Sequence, residues 1–220
     1  LQRLSSEEIT ASDTDWAQCV NLRTSGSSGA PLDIFTNYQE IRHRWLSYRR
    51  MYFGSGGKLS DREMIITAPR HFMATNWLQD HGILKLRYMS LFDNAEKQIK
   101  TILEFKPHII DGFPSYLKNL ALEIKNRKLS GIKPRILFTT AEMYTEADRK
   151  LIFSIFQAEA FDYYACNECG IIAWECKEHS GYHINSDNVI VELIKEDGTK
   201  AKAGEEGEIV LTNLNSYTMP

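Results

Sequence analysis

Hydrophobic and polar positions along the chain alternate between two rhythms, short apolar runs and stripes at helical spacing. Ile41, Trp45, Tyr48 and Tyr52 recur at three- and four-residue intervals and predict a helix from about Thr36. Thr36-Asn37-Tyr38-Gln39 reads as its capping box, the threonine hydroxyl and glutamine side chain each satisfying the other residue's N–H. Gly54-Ser55-Gly56-Gly57 ends it. Arg42, Arg44, Arg49 and Arg50 lie among the apolar positions and read as a solvated face. Met64–Thr67 is a short buried strand stopped by Pro69, Phe72–Leu78 is helical, and Ile83–Leu91 alternates as a strand. Glu96–Phe105 is a helix with Ile99, Ile102 and Leu103 inward, and Ile109–Ile110 is a brief strand. A helix capped by Ser115 follows, with Leu117, Leu120, Ala121 and Ile124 as its apolar stripe. Ile136–Thr139 is a strand, Thr145–Asp148 caps a helix carrying Leu151, Ile152, Ile155 and Phe156, and Phe161–Tyr164 is the next strand.

Strands alternating with helices imply an α/β fold with a mainly parallel sheet flanked by helices. Before this pattern, residues 1–20 are polar and acidic, Ser5-Ser6-Glu7-Glu8 offers a short helix start, and Asn21–Arg23 closes a strand. After Ser180 the style changes. Val189–Ile194, a turn at Glu196–Thr199, and Glu208–Thr212 read as antiparallel β-structure. The expected organisation is an α/β nucleotide-binding core over residues 1–180 and a β-rich extension of the same domain over 181–220.

Bulk properties narrow the class. The 220 residues are 43% hydrophobic and 25% charged, ordinary for a globular chain. A net charge of −3 disfavours a broad nucleic-acid surface. No apolar run nears the roughly 18 residues of a membrane helix, and nothing resembles a signal peptide. Leu1 is no initiator methionine and Pro220 is an abrupt end, so a piece of a longer domain is expected. Four cysteines, three of them within Cys166–Cys176, do not form a disulfide framework. A reducing, cytoplasmic setting is expected.

The densest chemistry sits in Arg23–Pro31. Thr24, Ser25, Gly26, Ser27, Ser28 and Gly29 put four hydroxyls and two glycines into six residues. Glycine lets a backbone turn sharply and approach a ligand, and successive N–H groups in such a turn make an anion-binding concavity. A polyphosphate suits it. The kinase-type loop G-x-x-x-x-G-K-[ST] and the dinucleotide G-x-G-x-x-G pattern are absent. A Ser/Gly linker would have the same composition, but Thr24 before it and Ala30-Pro31 after it complete T-S-G-[ST]-[ST]-G-x-P.

That pattern resembles the phosphate-binding motif of the adenylate-forming superfamily, the acyl- and aryl-CoA synthetases. Gly112-Phe113-Pro114-Ser115-Tyr116-Leu117 resembles the phenylacetate–CoA ligase branch. Thr139-Thr140-Ala141-Glu142 is similar to the segment bordering that family's nucleotide pocket, Tyr164–Glu168 to its Tyr-Gly-x-Thr-Glu motif, and Gly207–Asn213 to a later Gly-Glu-hydrophobic-Thr strand. The order is right and covers nearly the whole chain. The resemblance implies attack of a small-molecule carboxylic acid on ATP to give an acyl-adenylate, then transfer to coenzyme A or a carrier thiol. On it, Thr24–Gly29 would hold phosphates, with Thr24 and Glu168 as catalytic residues. Glu168 would hold Mg²⁺ through a hard carboxylate oxygen, and Ala141, Glu142, Tyr163 and Tyr164 would border the adenine and acyl pockets. One of the two tyrosines is expected to be core packing. Ala165 and Asn167 depart from the motif, and Leu32 stands where a lysine is common. The family's ribose-binding aspartate and C-terminal catalytic lysine would lie beyond Pro220, so the 220-residue piece is expected to have little activity alone. A non-catalytic homologue binding a nucleotide or zinc is the alternative. Oligomeric state is open, a homodimer among the options.

Cys166, Cys169, Cys176, His179 and His183 fall within eighteen residues at spacings that suit zinc. By likeness to some phenylacetate–CoA-ligase-like proteins, Cys176 is the best structural Zn²⁺ ligand, with His179 or His183 second. Cys166 and Cys169 read as pocket-wall residues. Free thiols and surface histidines are the alternative. His71 reads as a surface histidine.

Overall fold

The computed structural model describes residues 8–24, 32–71 and 77–219. Most of the helix start at Ser5–Glu8 and of the helix expected at Phe72–Leu78 lies outside them. The chain divides into two compact units built from discontinuous segments. The first comprises residues up to Met51, Ala165–Trp174 and His183 onward; the second comprises Tyr52–Tyr164 and Glu175–Tyr182.

In the second unit, β3 (Arg62–Thr67), β4 (Lys85–Ser90), β5 (Ile109–Gly112), β6 (Ile136–Thr140) and β7 (Glu159–Cys166, through Tyr164) form the parallel sheet the sequence predicts. Their spatial order is β4-β3-β5-β6-β7. Registers such as Met64↔Ile110, Ile110↔Leu137 and Leu137↔Ala160 line apolar residues across the sheet. The strands read as continuous apolar runs because both faces are covered. On one face Ile110, Leu137 and Ala160 pack with Ile99 and Ile102 of α3 (Ala95–Phe105), Leu117, Leu120, Ala121 and Ile124 of α4 (Pro114–Asn126), and Ile152 and Phe156 of α5 (Glu146–Phe156). On the other, Phe138 lies between the rings of Tyr52 and Phe161, each 6.2 Å away.

Two helix starts differ in detail. Thr145 caps α5 as expected, accepting the Asp148 N–H. Helix α4 has no side-chain cap from its own N-terminus: Phe113 is its N-cap, with Pro114 in the first turn. Ser115 is already helical, and its N–H and hydroxyl both donate to Glu142. A four-residue helix, α2 (Trp77–Asp80), follows the residues outside the described set.

In the first unit, β1 (Cys19–Arg23) and β2 (Asp33–Asn37) form an antiparallel hairpin, from which α1 (Tyr38–Gly54, through Met51) departs. The expected capping box at Thr36–Gln39 is displaced by one residue. Thr36 is a strand residue paired with Val20; instead Asn37 Oδ1 accepts the Glu40 N–H and Glu40 accepts the Asn37 N–H. The basic run on α1 is not one solvated face. Arg42 and Arg50 are exposed, Arg50 pairing with Asp187, whereas Arg49 is 5% exposed and packs its guanidinium over Trp45 and Tyr48. β10 (Val189–Ile194) pairs antiparallel with β11 (Glu208–Asn213), as the sequence predicts. β8 (Gly170–Glu175) supplies Ile172 and Ala173 to a small core with Val189, Val191 and Leu211. β9 (Tyr182–Ile184) is the remaining strand.

Candidate functional site

The hairpin β1–β2 places the Ser/Gly loop between two paired strands. Thr24 and Leu32 close its base: Thr24 N–H donates to the Leu32 carbonyl at 2.9 Å, and Leu32 N–H donates to Thr24 Oγ1 at 2.8 Å. A hydroxyl that accepts one bond keeps its own proton for another acceptor. Ser25, Gly26, Ser27, Ser28 and Gly29 lie outside the described residues. The loop returns through β2 directly into α1.

That helix reaches the second piece of candidate chemistry. The turn Asn167–Cys169 joins β7 to β8, and Arg44 of α1 donates to the carbonyls of Asn167 and Glu168. Asn213 Nδ2 donates to the same Glu168 carbonyl at 2.8 Å. The Glu168 carbonyl is therefore held by two donors and that of Asn167 by a third, while the Glu168 side chain is exposed and makes no hydrogen bond or ion pair among the described residues. An exposed carboxylate on a fixed backbone fits a hard divalent cation, which prefers oxygen donors and keeps several waters.

Glu40 organises the same unit. It is 3% exposed and accepts four hydrogen bonds: from Thr36 Oγ1 and Asn37 N–H on one oxygen, and from the Tyr217 and Thr218 N–H groups on the other. Burial pushes its carboxyl up, and these bonds outweigh that to hold it below the usual glutamate range. The sequence reading passed over this residue, although an acidic residue three positions after Asn37 is a capping-box pattern shifted by one and could have found it.

In the second unit, the strand-end segment after β6 turns sharply. Ala141 adopts φ +66°, a left-handed conformation costly for any residue but glycine. The turn aims Glu142 at the start of α4, where its two oxygens take the Ser115 N–H and hydroxyl at 2.9 Å each. The two tyrosines of β7 separate as the sequence expects. Tyr163 donates its hydroxyl to Asp111, itself buried, and burial foremost, then the Asp111 charge, pushes its phenol well up. Tyr164 is 46% exposed. A cavity of 360 Å³ in this unit is lined by Glu96, Ile99, Leu103, Arg127 and neighbours, and contains none of the predicted site residues.

The zinc set is not brought together. Among the described residues no group of three or more His, Cys, Asp or Glu side chains is arranged to hold a metal. Cys176 and His179 fall in the second unit and His183 in the first. His179 stacks on Phe161 with its two ring nitrogens 3.6 Å and 3.7 Å from Glu175 and Glu159. His183 lies against the Trp174 ring. Side chains so engaged do not fit a closed N/S site. His71 is exposed, as read from sequence.

No family model matches the chain. It is 34% identical over 208 residues to a phenylacetate–coenzyme A ligase of Escherichia coli (strain K12), covering 90% of this chain and 47% of that protein. It is 30% identical over 210 residues to the enzyme of the same name from Aromatoleum evansii, again covering 90% and 47%. The chain thus spans about half the length of the curated relatives it matches. Among solved structures, a 2-hydroxyisobutyryl-CoA ligase in complex with 2-HIB-AMP and CoA superposes with a TM-score of 0.78 at 16% identity, over 94% of this chain and 51% of that one. An anthranilate CoA ligase in complex with anthranoyl-AMP gives 0.67 at 19% identity, over 89% and 39%. The chain has the fold of these solved CoA ligases. In sequence it is similar, over nine-tenths of its length, to the phenylacetate–coenzyme A ligases.

Proposed function

We propose that the protein containing this chain activates a carboxylic acid with ATP and passes the acyl group to a thiol, coenzyme A foremost. The observation that carries this reading is the hold that Arg44, on the helix following the loop and its returning strand, has on the backbone of the turn carrying Glu168. The hairpin that presents Thr24–Gly29 continues into α1, and Arg44 of α1 holds the backbone at Glu168. In the first step a carboxylate oxygen bonds to the α-phosphorus of ATP, and the bond to the leaving pyrophosphate breaks. In the second, the thiol sulfur bonds to the acyl carbon and AMP leaves.

The chain's own residues have distinct tasks. Thr24 and the amides and hydroxyls of Ser25–Gly29 orient the triphosphate and meet the charge that accumulates on leaving, a preorganised electrostatic role. Magnesium would offset phosphate charge there, and the Glu168 carboxylate would hold it as an oxygen donor. Tyr164, exposed beside the strand end, offers the adenine a ring to stack on. Ala141 and Glu142 shape the adjoining wall by fixing how α4 begins. A cytoplasmic location accords with thiols that carry no disulfide framework, and among the described residues no helix is long and apolar enough to cross a membrane.

The test is pyrophosphate release by the full-length protein with ATP·Mg²⁺ and a panel of aryl and short-chain acids. Glu168→Gln should lower turnover by about 100-fold or more, the scale of losing one electrostatic contact to a developing charge, while leaving the melting temperature unchanged. ATP binding detected by calorimetry with no acid giving pyrophosphate would reverse the proposal in favour of a non-catalytic nucleotide binder.

A further inference from the structure

The turn that carries Glu168 holds a pair of thiols with no role in the proposed reaction. Cys166 ends β7 and Cys169 closes the turn before β8. The Cys169 N–H donates to Cys166 Sγ at 3.3 Å, which brings the two ends of the turn together. Both are free and only half-buried, so small solutes reach them. Four-residue turns bring their end Cα atoms within about 7 Å, matching the span of up to about 6.8 Å that a disulfide bridges.

The turn cannot easily open and carry the sulfurs apart. Arg44 donates to the carbonyls of Asn167 and Glu168, and Asn213 donates to that of Glu168. Gly170, at φ +69°, lets β8 begin immediately after Cys169, and a Cβ there would lie 3.2 Å from Arg44 Cγ, so the arginine stem packs over it. Groups held in mutual reach react with a high effective concentration. The other two cysteines differ. Cys19 donates its thiol to the Asp15 carbonyl, and no contact of Cys176 with another thiol is seen among the described residues.

We propose that Cys166 and Cys169 form a reversible dithiol–disulfide site that exchanges with low-molecular-weight disulfides. One cysteine sulfur, having given its proton to solvent, bonds to one sulfur of the small disulfide, and the partner thiol leaves. The second cysteine sulfur then bonds to the first and expels the other small thiol. The protein loses two protons and two electrons overall, and the small disulfide takes them up to become two thiols. The bond closes across Asn167 and Glu168, within the turn whose carbonyls α1 and β11 hold.

The experiment equilibrates the native full-length protein with graded ratios of oxidised to reduced glutathione, blocks free thiols with N-ethylmaleimide, and maps peptides by mass spectrometry. The expected result is an intramolecular Cys166–Cys169 bond, two hydrogens lighter than the dithiol. It forms at ratios at least ten-fold lower than those that attach glutathione to Cys19 or Cys176. Cys166→Ser should convert the product at Cys169 into a mixed disulfide with glutathione. Stepwise glutathione attachment to Cys166 and Cys169 with no internal bond would overturn the proposal. So would alkylation of both at every ratio that modifies Cys19 or Cys176.

Discussion

A carboxylate surrounded by four donors is committed to its charge. Glu40 takes two bonds from Thr36 and Asn37, close by in sequence, and two from backbone amides 177 and 178 residues later. Removing the acceptor while leaving buried donors costs about 1–3 kcal/mol per orphaned group, so Glu40→Ala should lower unfolding free energy by about 3 kcal/mol or more, measured by urea denaturation. The pH dependence has a definite sign. Its folded carboxyl titrates below the ordinary value of 4.5, so its stabilisation is complete above that value and is lost as pH falls through the depressed one. Glu40→Gln should therefore flatten the stability profile below about pH 4.5, compared with the wild-type slope.

The elements that were legible in the sequence owe their visibility to local rules. β3, β5, β6 and the stripes of α3 and α4 are buried on the faces that periodicity assigns, because a fully covered parallel strand must be apolar throughout. What escaped was decided by distant partners. Thr36 looks like a cap, but its pairing with Val20 makes it strand, and the cap passes to Asn37. Arg49 looks solvated until the rings of Trp45 and Tyr48 cover it. β8 hid inside a stretch whose cysteines and glutamate read as chemistry. Ser115 looks like an N-cap and is instead clasped by a residue 27 positions on. That clasp sets a prediction for the element. Glu142→Ala removes two bonds and a negative charge from the first turn of α4, and should cost about 1 kcal/mol in thermal or denaturant unfolding. Glu142→Gln, which keeps one acceptor and loses the charge, should cost about half of that.

For the candidate site as a whole, the loop stood out by composition and Glu168 only through a family resemblance, whereas the Arg44 clamp on Glu168 was not legible, since its two ends are 124 residues apart. The molecule's two units are each stitched from segments far apart in sequence, so neither is complete until the chain has been made through residue 182 or beyond. Activity imposes a still longer requirement. The relatives are about twice this length, and adenylation needs charge on both the triphosphate and the attacking acid to be met at once by preorganised groups. On the function proposed above, Thr24–Gly29 and Glu168 would supply only the phosphate and metal side of that requirement. A 220-residue polypeptide of this sequence should therefore bind ATP·Mg²⁺ weakly and release pyrophosphate at less than about 1% of the rate of a form extended to the relatives' length, the scale expected when one electrostatic contributor to the transition state is missing. Comparable turnover by the two forms, assayed with the same acid at saturating ATP, would mean that these 220 residues already contain every group the chemistry uses.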